Sequence, residues 1–261
     1  MSALALIAIA AGVRIFSADY CADQLTLALG DRDQIAALSV DAEKDFSYLR
    51  AQAAGLPQAR AEAEQVVARG ADVVLRFWGG DAARLERLGV KVVSLNYADD
   101  FDAVKTNIML AAEAMGRHDR GAALAASVDK RLKALKARGP VSISALYVTP
   151  GGVTAGKGTI IDAIFAAAGI GNVASEQGLS YWPPLSAETL IKDPPEFMVT
   201  GFFSADSERV NHWSMTRHPA LARTLKATPR VDLAADVLSC PGWFSLDAAE
   251  AIRNAVEKLD D

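Results

Sequence analysis

Three histidines and two cysteines are the whole supply of imidazole and thiol in this 261-residue chain. Covalent or acid–base catalysis needs such a group beside a serine, a cysteine or a second base. His118, His212 and His218 stand in no G-x-S-x-G, H-E-x-x-H or H-x-x-E-H setting. No catalytic residue is assigned, and an enzyme is not expected. Direct capture of zinc or manganese takes several histidines and carboxylates converging on one ion. Three scattered histidines do not supply that, and Cys21 and Cys240 lack metal-type spacing. No metal site and no resident cofactor are expected. The stretch Gly151-Gly152-Val153-Thr154-Ala155-Gly156-Lys157-Gly158-Thr159 resembles a phosphate loop but misses it by one residue. Gly158 stands where the hydroxyl residue must directly follow the lysine. A tight turn that approaches a ligand or another part of the fold is the better reading.

The aromatic residues are more informative. They make up only 7% of the chain, yet many fall just beyond apolar runs or in loops. Tyr20 follows the first such run, Phe46 and Tyr48 follow the second, and Phe77-Trp78 follow the third. Tyr181-Trp182 lie in a proline-rich loop, Trp213 in another, and Trp243-Phe244 follow the last run. Flat apolar rings at strand ends make a binding surface at low entropic cost.

These rings must be positioned by alternating strands and helices. Val13–Phe16, Ile35–Leu38, Val73–Leu75 and Val90–Leu95 read as strands. Helices are expected over Tyr20–Leu29, capped by Ser17 or Asp19, over Glu62–Arg69 and over Ala82–Leu88. Phe101, Val104, Ile108, Ala111, Ala112 and Met115 recur at helical spacing, and Gly116 breaks the pattern. A second helix spans Asp119–Arg138, roughly 30 Å long at 1.5 Å per residue. After Pro140 the alternation resumes. Strands are expected in Val141–Val148, Phe197–Thr200 and Val231–Leu238, and helices over Thr159–Ala168, Glu188–Ile191, His218–Thr224 and Leu246–Leu259. The fold class is α/β: two Rossmann-like lobes with parallel sheets, joined by a single long α-helix. The expected divisions are 13–118, 119–138 for the connecting helix, and 139–261. In open sheets of this kind, ligands bind beyond the carboxyl ends of the strands.

Hydrophobic residues at 51% allow a sizeable core. The net charge of −5 argues against a nucleic-acid partner, which calls for a basic face. Residues 1–12 contain an apolar, alanine-rich run too short to span a bilayer. It reads as the remnant of an export signal, with Ala8-Ile9-Ala10 as a small-residue cleavage site, although no basic residue precedes Arg14. A short buried strand is the alternative.

In order and spacing, these segments resemble the periplasmic substrate-binding proteins of ABC importers, closest to those that bind cobalamin. The resemblance runs through Phe77-Trp78-Gly79-Gly80-Asp81-Ala82-Ala83-Arg84, Leu88-Gly89-Val90-Lys91-Val92 and Thr154-Ala155-Gly156-Lys157-Gly158-Thr159. It continues in Ala167-Ala168-Gly169-Ile170-Gly171-Asn172-Val173, Tyr181-Trp182-Pro183, Leu185-Ser186-Ala187-Glu188, Pro195–Gly201 and Trp243-Phe244. It covers almost everything after the signal-like start. It implies an exported, periplasmic monomer that holds a corrinoid between two lobes and delivers it to a permease and its ATPase. Ligand-binding residues would be Tyr20, Phe77, Trp78, Tyr181, Trp182, Trp243 and Phe244. Members of the family dock through an acidic residue on each lobe. The first-lobe position for that residue is Ala83 here, so Asp81 and Glu86 stand in as candidates, with Asp247 and Glu250 on the second lobe. A ferric siderophore or another metal chelate is the alternative cargo, and Arg76, Arg209 and Arg217 could contact it. Cys21 and Cys240 follow the first and last expected strands, so both should lie near the cleft. A disulfide across the lobes, a contact to a metal chelate and a buried free thiol all stay open.

Overall fold

The computed structural model describes residues 12–202 and 219–259. The signal-like start up to residue 11, His212, His218, Trp213, Arg209 and Arg217 lie outside the described residues. The first lobe contains β1 (Ile15–Ser17), α1 (Tyr20–Leu29), β2 (Ile35–Ala37), α2 (Arg50–Ala53), α3 (Ala63–Ala68), β3 (Val73–Arg76), α4 (Ala82–Arg87), β4 (Lys91–Ser94) and α5 (Phe101–Met115). Next comes α6 (His118–Ala137). The second lobe contains β5 (Ser144–Val148), α7 (Ile160–Ala168), β6 (Gly171–Asn172), α8 (Val173–Glu176), α9 (Ala187–Lys192), β7 (Phe197–Gly201), α10 (Pro219–Ala227), β8 (Arg230–Leu233), α11 (Ala235–Leu238) and α12 (Ser245–Glu257).

Local chemistry explains the main boundaries. The Asp19 carboxylate accepts from the backbone of Cys21 and Ala22 and starts α1. Asp100 caps α5, and Gly116 ends it in the left-handed region at φ 66°, which costs glycine no Cβ clash. Thr159 caps α7. The central strands are short and apolar because helices cover both faces of each sheet; Ile15, Phe16, Leu75, Met198 and Val199 are all buried.

The described strands form two four-stranded sheets, ordered β2-β1-β3-β4 and β6-β5-β7-β8. Every pairing is parallel. The two orders are the same pattern used twice. Each sheet has a switch point between its two central strands, where consecutive connections leave to opposite sides and a crevice opens at the carboxyl edge.

The largest apolar core joins the lobes. It runs from Ile15 and Leu75 through Val104, Ile108, Val128 and Leu135 to Phe165, Val199 and Ile252. The 20-residue α6 contributes Val128 and Leu135 to it and packs on α5, α7 and α12. Gly121 makes the crossing of α5 and α6 close, since a Cβ there would overlap that of Ala112. Smaller clusters seal the outer faces, one around Phe16, Val66 and Leu85 and another around Leu146, Leu190 and Met198.

Candidate functional site

Cys21 opens α1 and Cys240 precedes α12, and the two form a disulfide. That decides among the three readings the sequence left open. Around the bond lie Tyr20, Tyr48, Phe77, Trp243 and Phe244. Further ties cross at the same place. Tyr48 donates its hydroxyl to Asp247 at 2.7 Å, and Arg50 pairs with Asp236 at 2.7 Å. Tyr97, just past β4, donates to the carbonyl of Gly158 at 3.3 Å, so the carboxyl edges of the two sheets face each other.

On the first edge, Asp19 does more than cap a helix. Its second oxygen accepts from the backbone of Phe77 at 2.7 Å and of Trp78 at 3.1 Å. One buried carboxylate thus clamps the end of β1 to the end of β3 across the switch point. Burial pushes its pKa up, and the four backbone donors pull the other way. The result is a fixed turn that presents Phe77 and Trp78. Trp78 is 46% exposed and meets Tyr20 edge-on at 5.2 Å, while Tyr20 meets Phe46 at 4.9 Å. Phe77 and Trp243 line one small space beside the disulfide.

The second edge carries Tyr181 and Trp182 on a lip. Residues 152–157 pair with residues 179–185: Gly156 donates to Tyr181, Tyr181 to Lys157, Thr154 to Pro183 and Leu185 to Gly152. Backbone N–H groups that a phosphate loop would turn toward an anion are spent here on carbonyls. This is the physical reason the near-match is a turn and not a nucleotide site. Gly156 has to be glycine, because a Cβ would collide with the backbone carbonyl of Leu179. Gly156→Ala should therefore push the two halves of the lip apart, weakening ligand binding by roughly tenfold and lowering stability by about 1–3 kcal/mol. Calorimetry on both properties checks this. Tyr181 stands in the left-handed region at φ 57°, a strained conformation for an aromatic residue. Trp182 is 45% exposed and meets the buried Tyr147 edge-on at 6.4 Å.

Two of the expected aromatics part company. Trp243 is half-buried beside the disulfide, whereas Phe244 is only 1% exposed and stacks on Tyr48 at 4.4 Å. Phe244 belongs to the packing around the disulfide. The second-lobe acids are similarly engaged: Arg131 on α6 binds Asp247 at 2.6 Å and Glu250 at 2.9 Å. They hold α12 to α6, and both carboxylates stay partly exposed. Asp81 caps α4 through the backbone of Arg84, and both it and Glu86 are exposed. Arg76 donates to the carbonyl of Gly80. Sequence reasoning missed Tyr97, 59% exposed, and Phe202, at φ 64° just past β7. Both follow strands, as Tyr20 and Phe77 do, so the same rule would have found them.

Behind the first edge, Asp23 is buried and accepts from the backbone and hydroxyl of Ser39 at 2.9 and 2.6 Å. Burial raises its pKa from 3.8 to about 7. Between those values the folded chain holds a proton that the unfolded chain releases. The contribution to stability is thus full below about pH 4 and is lost as the pH rises to 7, up to about 4 kcal/mol. Asp23→Asn should flatten that part of a pH–melting curve. A wild-type curve whose slope over pH 4–7 is unchanged by the substitution contradicts this.

Among the described residues no group of three or more histidines, cysteines or carboxylates is arranged to hold a metal ion, and no helix is long and apolar enough to cross a membrane. The model of the periplasmic binding protein family matches residues 15–228. The chain belongs to that family. The members it matches and the folds it superposes on are those of binding proteins. A curated cobalamin-binding protein of Halobacterium salinarum is 29% identical over 206 residues, which cover 74% of this chain and 54% of that protein. The chain spans about half the length of the curated relatives it matches. Among solved structures, the periplasmic heme-binding protein HutB of Vibrio cholerae superposes with a TM-score of 0.75 at 24% identity, over 94% of this chain and 98% of that one. The periplasmic vitamin B12-binding protein BtuF of Vibrio cholerae does so with 0.72 at 20% identity, over 96% and 99%. At these identities the likeness is one of fold.

Proposed function

We propose that this binding protein captures a corrinoid between the carboxyl edges of its two sheets and delivers it to an ABC permease and its ATPase. The observation that carries the reading is the aromatic set at the two edges: Tyr20, Phe77 and Trp78 on one, Tyr181 and Trp182 on the other, with Trp243 at the base. Partly exposed rings on facing walls suit a broad, flat macrocycle. The curated relative named for cobalamin binding supports the same cargo. A periplasmic location is supported by the family and by the disulfide, which persists in oxidising compartments. Asp81 and Glu86 on the first lobe and Asp247 and Glu250 on the second are the candidates for permease docking, since all four side chains reach solvent. A monomer is expected.

Tryptophan fluorescence titration with cyanocobalamin, hemin and ferrichrome in parallel tests the cargo. Saturable one-to-one quenching by cyanocobalamin supports the reading. Tight binding of hemin or ferrichrome, with none of cyanocobalamin, replaces the cargo and leaves the transport role. Silence across all three overturns the assignment of this cleft to metal chelates.

A further inference from the structure

Beside the Trp78 ring, at the carboxyl ends of β1, β2 and β3, lies a cavity of about 260 Å³. It is too small for a macrocycle and the right size for a side arm. Its sides are Tyr20, Ser39, Asp41, Arg60, Glu62 and Trp78, with Asp19 below. Asp19 is spent on four backbone N–H groups. Asp41 and Glu62 have no hydrogen-bond or ion-pair partner for their carboxylates among the described residues, and the exposed Arg60 pairs with neither. Two residues with unpartnered carboxylates, the half-buried Asp41 and the exposed Glu62, thus line a cavity bounded by two aromatic rings. The negative field there is felt locally: burial and then the charges of Asp19 and Asp41 raise the Tyr20 phenol.

We propose that this cavity is a side-arm subsite that accepts N–H donors, a primary carboxamide or an ammonium, and repels carboxylates, with Asp41 and Glu62 as the specificity-determining acceptors. The inference rests on the corrinoid reading and sharpens it. The rim of a corrin carries carboxamide arms, whereas the rim of a heme carries carboxylates. A carboxamide donates its N–H groups to Asp41 or Glu62. A carboxylate arm meets like charge in a partly desolvated space, and only Arg60 offsets it. The same aromatic walls would stack either ring, so the side arms decide between them.

The test compares cyanocobalamin with its three monocarboxylic derivatives, each having one propionamide hydrolysed, against wild type and Asp41→Asn/Glu62→Gln. At least one derivative should bind wild type tenfold or more weakly than the parent, and the double substitution should shrink that gap to under threefold. Equal binding of all four to wild type overturns the subsite, as does a gap that survives the substitutions. Failure of cyanocobalamin itself would sink the corrinoid reading instead, and a second measurement then decides the subsite alone. n-Butylammonium should shift the indole N–H resonance of Trp78, assigned with Trp78→Phe, saturably in wild type and not in the double variant. Butyrate should leave it in place. An equal response to both ions, or none to the ammonium, rejects the subsite.

Discussion

Trp182→Ala should weaken cyanocobalamin binding by roughly 10- to 100-fold, and Trp78→Ala by a similar factor, about 1.5–3 kcal/mol each. Each ring is a little under half exposed in the free protein, so truncation removes ligand contact without hollowing a core. The melting temperature should hence move little in either variant. The two rings sit on different sheets and share no partner, so their effects should add, giving a loss of about 10²- to 10⁴-fold in the double variant. Phe244→Ala provides the contrast. Its ring is buried against Tyr48 and the disulfide, so its loss should cost about 3–5 kcal/mol of stability. Calorimetric titration beside thermal melting separates the two kinds of residue. Equal affinity losses with no change in melting for Phe244→Ala would move that ring into the binding wall.

Cys21→Ser/Cys240→Ser should lower stability by about 2–4 kcal/mol, seen as a fall of roughly 5–15 °C in melting temperature. The bond spans 219 residues of sequence, so its loss frees nearly the whole chain in the unfolded state. It is also the only covalent tie across the cleft apart from the backbone, among the described residues. Phe77 and Trp243 pack beside it, so ligand affinity should fall as well, by less than either tryptophan substitution. Reducing agent should reproduce the change in wild type and do nothing to the double variant. A melting temperature insensitive to both treatments contradicts this account of the bond.

Much of the framework was legible because apolar runs and caps are local signals. The α1 helix runs from Tyr20 to Leu29 as read, since Asp19 and Gly30 bound it chemically. The long helix lies one residue earlier than read, at His118–Ala137. What escaped is short or depends on distant pairing. The edge strand β6 is only Gly171–Asn172, with no apolar run to betray it. The four-residue helices α2, α8 and α11 carry too little periodicity to show. The lip that bears Tyr181 and Trp182 is made by two loops that bond to each other, which no local window reveals. For the same reason the repeated strand order of the two lobes was invisible. In the site, Trp243 and Phe244 looked equivalent as neighbours. The partner on which Phe244 stacks, Tyr48, is distant in sequence. Asp247 and Glu250 looked like free surface acids until Arg131, more than a hundred residues away in sequence, was seen to bind both.

The most direct test of the central claim is to locate cobalt by anomalous diffraction in crystals grown with cyanocobalamin. One cobalt site between the carboxyl edges of the two sheets, with the corrin ring against Trp78 and Trp182, is the predicted result. A cobalt on an outer face, or a cleft with no cobalt at saturating cyanocobalamin, would contradict it.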